Sequence, residues 1–413
     1  VLKIHKKLAR DKALFDYPTT ERFFNEHRKA TRGRDLDITG LSYKLPEKKG
    51  PQQWPFRDGH LEGQKRLYTD GVFQTGNGKA KFTNATYQPT ADVTNVRQPL
   101  HLLTGRLRDQ WHGMCRTGTI AQLYNHVEEP LLSMNEDDMQ RRQLKDGDIV
   151  KLSNKRGELN IRIQKSDEVK PAQTFLPMHW GRQFMNGLGA NALMPADVDK
   201  TSKQPELKHT AVRVEKLDLP WQMTVMRTCH DLSLISQIRA LLKHFDYATC
   251  GLYGREQSMV VLRASHTEQP NTEVIAQLDD LLGMVEGAPM LNYDDAKRSV
   301  SKRILVEDGQ VTAVRLIGET LAADWLKQVM LESDFSHELR KWALAPLSTP
   351  PTGQKSRGKI ICNCYDVSEN EIIETCEIGA DLQTLQAKLK CGTECGSCVP
   401  ELKRLVKTHS TNS

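Results

Sequence analysis

The sequence predicts a multidomain α+β protein with a compact β-barrel, a small α+β domain and a small helical module rich in cysteine. Length is the first reason: 413 residues at about 150 per domain argue for two to three domains and more than one buried core. The second is a series of short apolar stretches of period two between residues 98 and 216, separated by long excursions, which reads as several short strands. The third is the placement of cysteine. Six of the nine, Cys362, Cys364, Cys376, Cys391, Cys395 and Cys398, fall within 37 residues, while Cys115, Cys229 and Cys250 are scattered.

Composition narrows the class. Lysine and arginine number 58 against 52 acids, a net charge of +6. Spread evenly, this excess suits an anionic small molecule or an acidic protein partner and does not call for nucleic acid. Mean hydropathy is −0.56, and no apolar run approaches the roughly 18 residues of a membrane span. Basic residues at Lys3, Lys6 and Lys7 are not followed by the apolar core of a signal peptide. The expectation is a soluble cytoplasmic protein without a membrane partner. A start at Val1 suggests a lost upstream part.

Residues 1–98 are polar and turn-rich, with a basic amphipathic opening and loop signals at Tyr43–Pro46, Lys49–Pro51 and Gly76–Gly78. They read as the end of something larger, and Gly76–Gly78 as a hairpin turn. From Gln98 the pattern changes. Pro99–Leu103 is a buried-strand candidate ending in Thr104-Gly105-Arg106. Ile149–Leu152, a turn at Asn154–Gly157, and Leu159, Ile161 and Ile163 form a hairpin with one buried face. Gln173–Pro177 is a further strand, and the barrel closes near Val214.

A linker at 216–222 opens a third region, 222–345. Leu232, Ile235, Ile238, Leu241 and Leu242 recur at helical spacing, and Ile304–Leu316 alternates about an Asp308-Gly309 turn. It holds no catalytic constellation, and His230, His244 and His266 read as structural. A Pro- and Gly-containing linker follows at 346–358.

The terminal module, 359–409, contains Cys362-Asn363-Cys364, thirty residues, then Cys395-Gly396-Ser397-Cys398. Ser368 and Glu371 form a capping box for a helix carrying Ile372, Ile373 and Cys376 that stops at Gly379. Asp381 caps a second helix, and Pro400 suits the first turn of a third. Two pairs of thiolates brought together by such a fold supply four soft ligands, for which iron–sulfur and zinc are both candidates on spacing alone. Cys376 belongs to a helix core. Cys391 is open between spectator and alternative ligand.

Thr104-Gly105-Arg106-Leu107-Arg108-Asp109-Gln110-Trp111-His112-Gly113-Met114 is dense in groups that bind nucleotides. Glycine after a strand permits close backbone approach, arginine pairs with phosphate, and Gln, Trp and His offer edge hydrogen bonds and stacking.

These motifs carry a resemblance. Cys-x-Cys…Cys-x-x-Cys, with Gly396-Ser397 inside it and Val399-Pro400-Glu401-Leu402 after it, resembles the bacterioferritin-associated-ferredoxin-like [2Fe–2S] domain. That family implies one [2Fe–2S] cluster on Cys362, Cys364, Cys395 and Cys398. Residues 99–216 are similar to the carboxy-terminal dinucleotide-binding domain of molybdopterin oxidoreductases, a double-psi β-barrel. The matching passages are the loop above, the 146–163 hairpin, Phe175–Gly181, Asn191-Ala192-Leu193 and Ser202–His209. Together with Asp37–Tyr43 and Gly50–Pro55, which resemble the end of a molybdenum-binding region, they point to the large subunit of bacterial assimilatory nitrate reductases. Residues 290–320 look like a small domain shared with nitrite reductases and related flavoproteins.

The resemblance implies that Gly105, Arg106, Gln110, Trp111, His112 and Thr117 contact a bis-molybdopterin guanine dinucleotide bound to molybdenum, with His179, Asn191 and Lys208 on its other side. It implies nitrate as substrate and a ferredoxin, flavodoxin or NADH-linked flavoprotein as electron donor. A [4Fe–4S] motif and a molybdenum-ligating cysteine, usual upstream in this family, are absent here, so no catalytic residue is named and this part alone should not turn over. Cys115 is not assigned to the metal. The alternatives are another molybdopterin enzyme, such as a formate dehydrogenase, and a non-catalytic iron–sulfur electron-transfer protein.

Overall fold

A computed structural model describes residues 7, 17–84, 86–229, 231–332, 335–350 and 357–409. The amphipathic opening, His230 and the middle of the 346–358 linker lie outside the described residues. The chain divides into compact units, Val1–Gln88 and Pro89–Ser413.

The first unit is mostly irregular, with helices α1 (Thr20–Ala30) and α2 (Leu45–Lys49). Thr19 caps α1 by accepting from Arg22 N, as an N-cap threonine does for an orphan amide. Buried Asp37 accepts from Gly33 N, Thr39 N and the Thr39 hydroxyl. At Gly76–Gly78 the chain makes a turn, Phe73 N donating to Gly78 O, but among the described residues no paired strands flank it, so the expected hairpin is seen there as a turn only.

The second unit opens with a closed six-stranded barrel, in the order β1 (Leu100–Gly105), β5 (Gln173–Pro177), β2 (Leu131–Met134), β4 (Glu158–Lys165), β3 (Ile149–Ser153) and β6 (His209–Lys216). The β1–β5 and β2–β4 pairs are parallel and the others antiparallel. Closure removes free edges. Leu100 and Leu102 of β1 and Leu159, Ile161 and Ile163 of β4 point into the core, as period-two patterning requires. Helix α3 (Glu136–Arg141) follows β2 and is capped by Asn135. Buried Asp92 ties the entry segment to the barrel, accepting from Arg156 Nη2 at 2.5 Å, Thr210 Oγ1 at 2.6 Å and Ala211 N at 2.9 Å. Burial works to raise this carboxyl's pKa, but those hydrogen bonds and the Arg156 charge hold it well below the usual carboxylate range.

An antiparallel six-stranded sheet follows, in the order β10 (Met290–Asp295), β11 (Val300–Glu307), β12 (Gln310–Ile317), β7 (Trp221–Thr228), β9 (Ser258–His266) and β8 (Tyr247–Gly254). Helices α4 (Leu232–Ala240) and α5 (Thr272–Leu281) share a core with one face and the barrel; α6 (Ala323–Glu332) and α7 (His337–Trp342) cover the other. The free edge of β8 is closed by the barrel: Cys250 N donates to Phe184 O, and Asn186 N to Ala248 O. The third region is thus a full sheet, where the sequence marked one helix and one hairpin.

The terminal module pairs β13 (Ile360–Cys362) with β14 (Val367–Ser368) and adds α8 (Glu369–Glu377), α9 (Leu382–Leu389) and α10 (Val399–His409). The Ser368–Glu371 capping box forms, Asp381 caps α9, and Pro400 lies in the first turn of α10. Among the described residues no helix is long and apolar enough to cross a membrane. The observed class is a mixed α/β multidomain chain built on a barrel, a sheet and a small helical module.

Candidate functional site: a loop between a cleft and a thiol cluster

The loop after β1 leaves the barrel at Gly105, where a Cβ would lie 2.8 Å from the Phe175 ring. Only glycine passes that ring without a shift. The chain then folds over His179, which is 1% exposed. Leu107 N donates to His179 Nε2 at 2.8 Å, and His179 Nδ1 lies 2.7 Å from His112 O. These partners assign the Nδ1–H tautomer, because Nε2 must accept. Burial is the main cause of a lowered His179 pKa, with Arg106, His112 and Lys208 adding positive charge against the opposing bond to the His112 carbonyl. His112 and Met114 hold φ of +43° and +59°, left-handed conformations that side chains rarely adopt. The staple from His179 helps hold them there.

The loop has two faces. On one, Arg106, Trp111 and His112 are exposed. The Arg106 guanidinium lies 5.0 Å from the centre of the Trp111 ring, and Trp111 meets His112 edge-on at 4.5 Å. The Thr117 hydroxyl accepts from Trp111 N at 3.3 Å. A neighbouring cleft of ≈ 190 Å³ brings Gly113, Met178, His179, Arg182 and Asn191 together. Lys208 Nζ lies 4.0 Å from Met178 Sδ. The structure therefore gathers Gly105, Arg106, Trp111, His112, Thr117, His179, Asn191 and Lys208 into one region, with His179 and Thr117 spending their polar atoms on the loop itself. Gln110 is buried; its Nε2 donates to Leu123 O at 3.0 Å, and its Oε1 has no hydrogen-bond partner among the described residues.

On the other face, Arg108 and Asp109 point into the terminal module. Arg108 Nη1 donates to Glu401 Oε2 at 2.9 Å and Nη2 to Ile361 O at 2.5 Å. His126 Nε2 meets the same Glu401 oxygen at 3.0 Å, and Lys359 Nζ donates to Oε1 at 2.7 Å. Asp109 completes the group, 3.2 Å from Arg108 Nε and 3.6 Å from His126 Nδ1. Burial acts to raise the Glu401 pKa, but His126 and Lys359 outweigh it and hold the carboxyl well below the usual carboxylate range. The backbone bearing the first thiol pair is gripped as well. Gln122 Nε2 donates to Asn363 O at 2.6 Å, Arg255 donates to Asn363 O and Cys364 O, each at 3.2 Å, and Ile360 N donates to Asn125 O.

The thiols stand as two pairs. Cys364 Sγ lies 3.5 Å from Cys395 Sγ, and Cys398 shares a hydrogen bond with Cys362. Hydrogen bonds from Ser397 lower the Cys395 pKa, whereas burial, reinforced by Cys362, pushes Cys398 up to about 12. Cys362 and Cys398 are buried, and Cys395 is exposed. All are free thiols, and α10 begins directly after Cys398, so its positive dipole end adjoins the sulfurs. Among the described residues no three His, Cys, Asp or Glu side chains converge closely enough for a single metal ion. Cys376 packs in the module core. Cys391 does too, its Sγ 3.7 Å from Leu385 O, and burial raises its pKa to about 11.

The donor set on each side fits a group of matching chemistry: soft thiols in the module, exposed cations and an aromatic face at the cleft. Residues 100–211 match the molydopterin dinucleotide binding domain, and residues 360–408 the BFD-like [2Fe-2S] binding domain. The chain thus joins a stretch matching a molybdopterin dinucleotide-binding domain to one matching a [2Fe-2S] module. Nitrate reductases are its homologues over much of its length. It is 30% identical over 351 residues to the nitrate reductase of Klebsiella oxytoca, covering 80% of this chain and 36% of that protein. With the assimilatory nitrate reductase catalytic subunit of Bacillus subtilis it shares 29% identity over 203 residues, 48% of this chain and 28% of that one. With the F420-dependent formate dehydrogenase subunit alpha of Methanocaldococcus jannaschii it shares 32% over 203 residues, 49% and 28%. The chain spans about a third of the length of these curated relatives.

Arg108, Asp109, His126 and Glu401 were not marked as a group by the sequence. Arg108 and Glu401 are 293 residues apart, and no local pattern links them.

Proposed function

We propose that the chain is the carboxy-terminal part of a molybdenum-dependent assimilatory nitrate reductase, reducing nitrate to nitrite. In this reading residues 99–216 form a double-psi barrel that supplies part of a bis-molybdopterin guanine dinucleotide cleft. Residues 359–409 carry a [2Fe–2S] relay, 222–345 form the domain between them, 346–358 are a linker, and 1–98 close the molybdenum-binding region. The observation that carries the proposal is the two-faced loop, with a cation- and aromatic-rich face on one side and a thiol module docked on the other.

Arg106 and Lys208 would bind phosphate, for which a guanidinium fork and an ammonium are suited. Trp111, His112 and Asn191 would meet planar heterocycles, whereas Gln110, implied by the resemblance as a contact, is buried and bonded to Leu123 O, so it would brace the loop from behind. Gly105 allows the backbone to approach, and His179 and Thr117 hold the loop in shape. Cys362, Cys364, Cys395 and Cys398 would hold the cluster, and two thiol pairs suit two iron centres better than one tetrahedral zinc. When bound, the molybdenum centre supplies two-electron oxygen-atom chemistry and the cluster supplies single electrons. Upstream sequence would bring a [4Fe–4S] cluster and the molybdenum ligand. The donor is a ferredoxin, flavodoxin or NADH-linked flavoprotein, and the setting is cytoplasmic.

The similarity to a formate dehydrogenase subunit favours, as second reading, another enzyme of the same cofactor class. Full-length enzyme, recovered with its upstream coding sequence, separates them. With reduced viologen it should form nitrite from nitrate. Reduction of oxidised viologen by formate, without nitrite formation from nitrate, would replace the first reading with the second.

A further inference from the structure

We propose that Glu401 is a positioning residue for electron transfer: together with Arg108, His126 and Lys359 it clamps the thiol module onto the back of the dinucleotide loop, so that the cluster edge stays against the segment that holds the pterin. The inference rests on the function proposed above and deepens it. Four facts carry it. The Glu401 side chain is only 16% exposed, as is that of Arg108, so the clamp is largely shielded from water and from screening salt. Glu401 is the third residue after Cys398 and lies in the first turn of α10, so holding its carboxylate fixes the helix end that carries a cluster ligand. Arg108 also reaches Ile361 O at 2.5 Å, the residue before Cys362, so one guanidinium grips both ligand-bearing segments. Arg108 itself lies two residues after Arg106 and three before Trp111, so the clamp and the cleft share one short stretch of backbone.

Glu401 takes three partners within 3.0 Å, two of them from the barrel side of the interface. The arrangement sets orientation, because the planar Arg108 guanidinium bridges two points of the module, the Glu401 carboxylate through Nη1 and Ile361 O through Nη2. The transfer it would serve is single-electron: the cluster that the four thiols would hold gives up one electron at a time to the molybdenum cofactor. Two such transfers, with two protons, convert nitrate to nitrite and water.

The test uses full-length holoenzyme, reduced with dithionite freed of excess and mixed rapidly with nitrate while the visible band of the cluster is followed. Glu401→Ala should slow cluster reoxidation about tenfold or more, in keeping with the loss of a buried charge pair. Iron, labile sulfide, molybdenum content, and the KM for nitrate with reduced viologen should stay at wild-type values. Glu401→Gln, which keeps acceptor and shape, should recover part of the rate. If Glu401→Ala does not retain its cluster, His126→Ala removes one arm of the clamp from outside the module and gives the same readout. Wild-type reoxidation in a variant that retains its cluster overturns the proposal and leaves the nitrate reductase reading standing. Absence of nitrite formation by the wild type overturns that reading instead.

Discussion

Replacing His179 by alanine should loosen the dinucleotide loop by an amount that follows from its two hydrogen bonds. Leu107 N–H would lose its acceptor at 2.8 Å and His112 O its donor at 2.7 Å. A net hydrogen bond is worth about 0.5–1.5 kcal/mol, and a donor left unsatisfied in a partly buried site costs about 1–3 kcal/mol. The sum is about 1.5–4.5 kcal/mol, and it falls on a loop already holding left-handed residues at His112 and Met114. The pH dependence gives a second handle. The folded His179 pKa is depressed, chiefly by burial, so the unfolded chain binds this proton at a higher pH than the folded one. Stability from this group is therefore fully present above the unfolded value of about 6.5 and declines as pH falls from there towards the folded pKa. The slope cannot exceed about 1.4 kcal/mol per pH unit for one proton. Urea unfolding at pH 8 and at successive steps below pH 6.5 measures both effects, with His179→Ala lacking this component of the acid slope. Equal stability of the variant at pH 8, together with an unchanged acid slope, would refute the staple.

Arg106→Ala in the full-length enzyme should weaken cofactor retention by about 1.5–3 kcal/mol, tenfold or more in affinity, with only partial rescue by lysine. Molybdenum and guanine nucleotide per chain measure it, and full occupancy would remove Arg106 from the site. Asp92→Asn should cost about 1–3 kcal/mol, because it takes the charged acceptor from half-buried Arg156 and from Thr210 and Ala211 N. The wild-type contribution of Asp92 is present above about pH 4 and is lost as pH falls through its depressed folded pKa, so an acid titration of wild type against variant reads it directly. Cys395→Ser should abolish the cluster chromophore while Cys376→Ser, altering a residue packed in the module core, should keep it; iron and labile sulfide analysis distinguishes the two.

Legibility followed the reach of each interaction. The barrel strands β1, β3, β4 and β5 alternate between core and outside, so period two marks them. The module helices carry local caps at Ser368 and Asp381, which can be read three residues at a time. Strand β8 could not be read this way, because every residue of Tyr247–Gly254 is buried and alternation disappears when both faces are covered. The four thiols and the exposed face of the loop were visible because their chemistry is concentrated in short motifs. The opposite face was not, since Arg108 reads as one more cation in a basic loop until the fold brings Glu401 to it. The resemblance implies a cofactor contact at His179; that its ring nitrogens serve Leu107 and His112 depends on how the loop folds over the strand end.

A single turnover of pre-reduced full-length enzyme with nitrate, with the cluster spectrum and nitrite recorded together, tests most directly whether the thiol module feeds electrons to nitrate. Nitrate should reoxidise the [2Fe–2S] cluster, with one nitrite formed for every two electrons lost. A cluster that stays reduced in excess nitrate, or one that is absent with zinc bound in its place, would contradict this role.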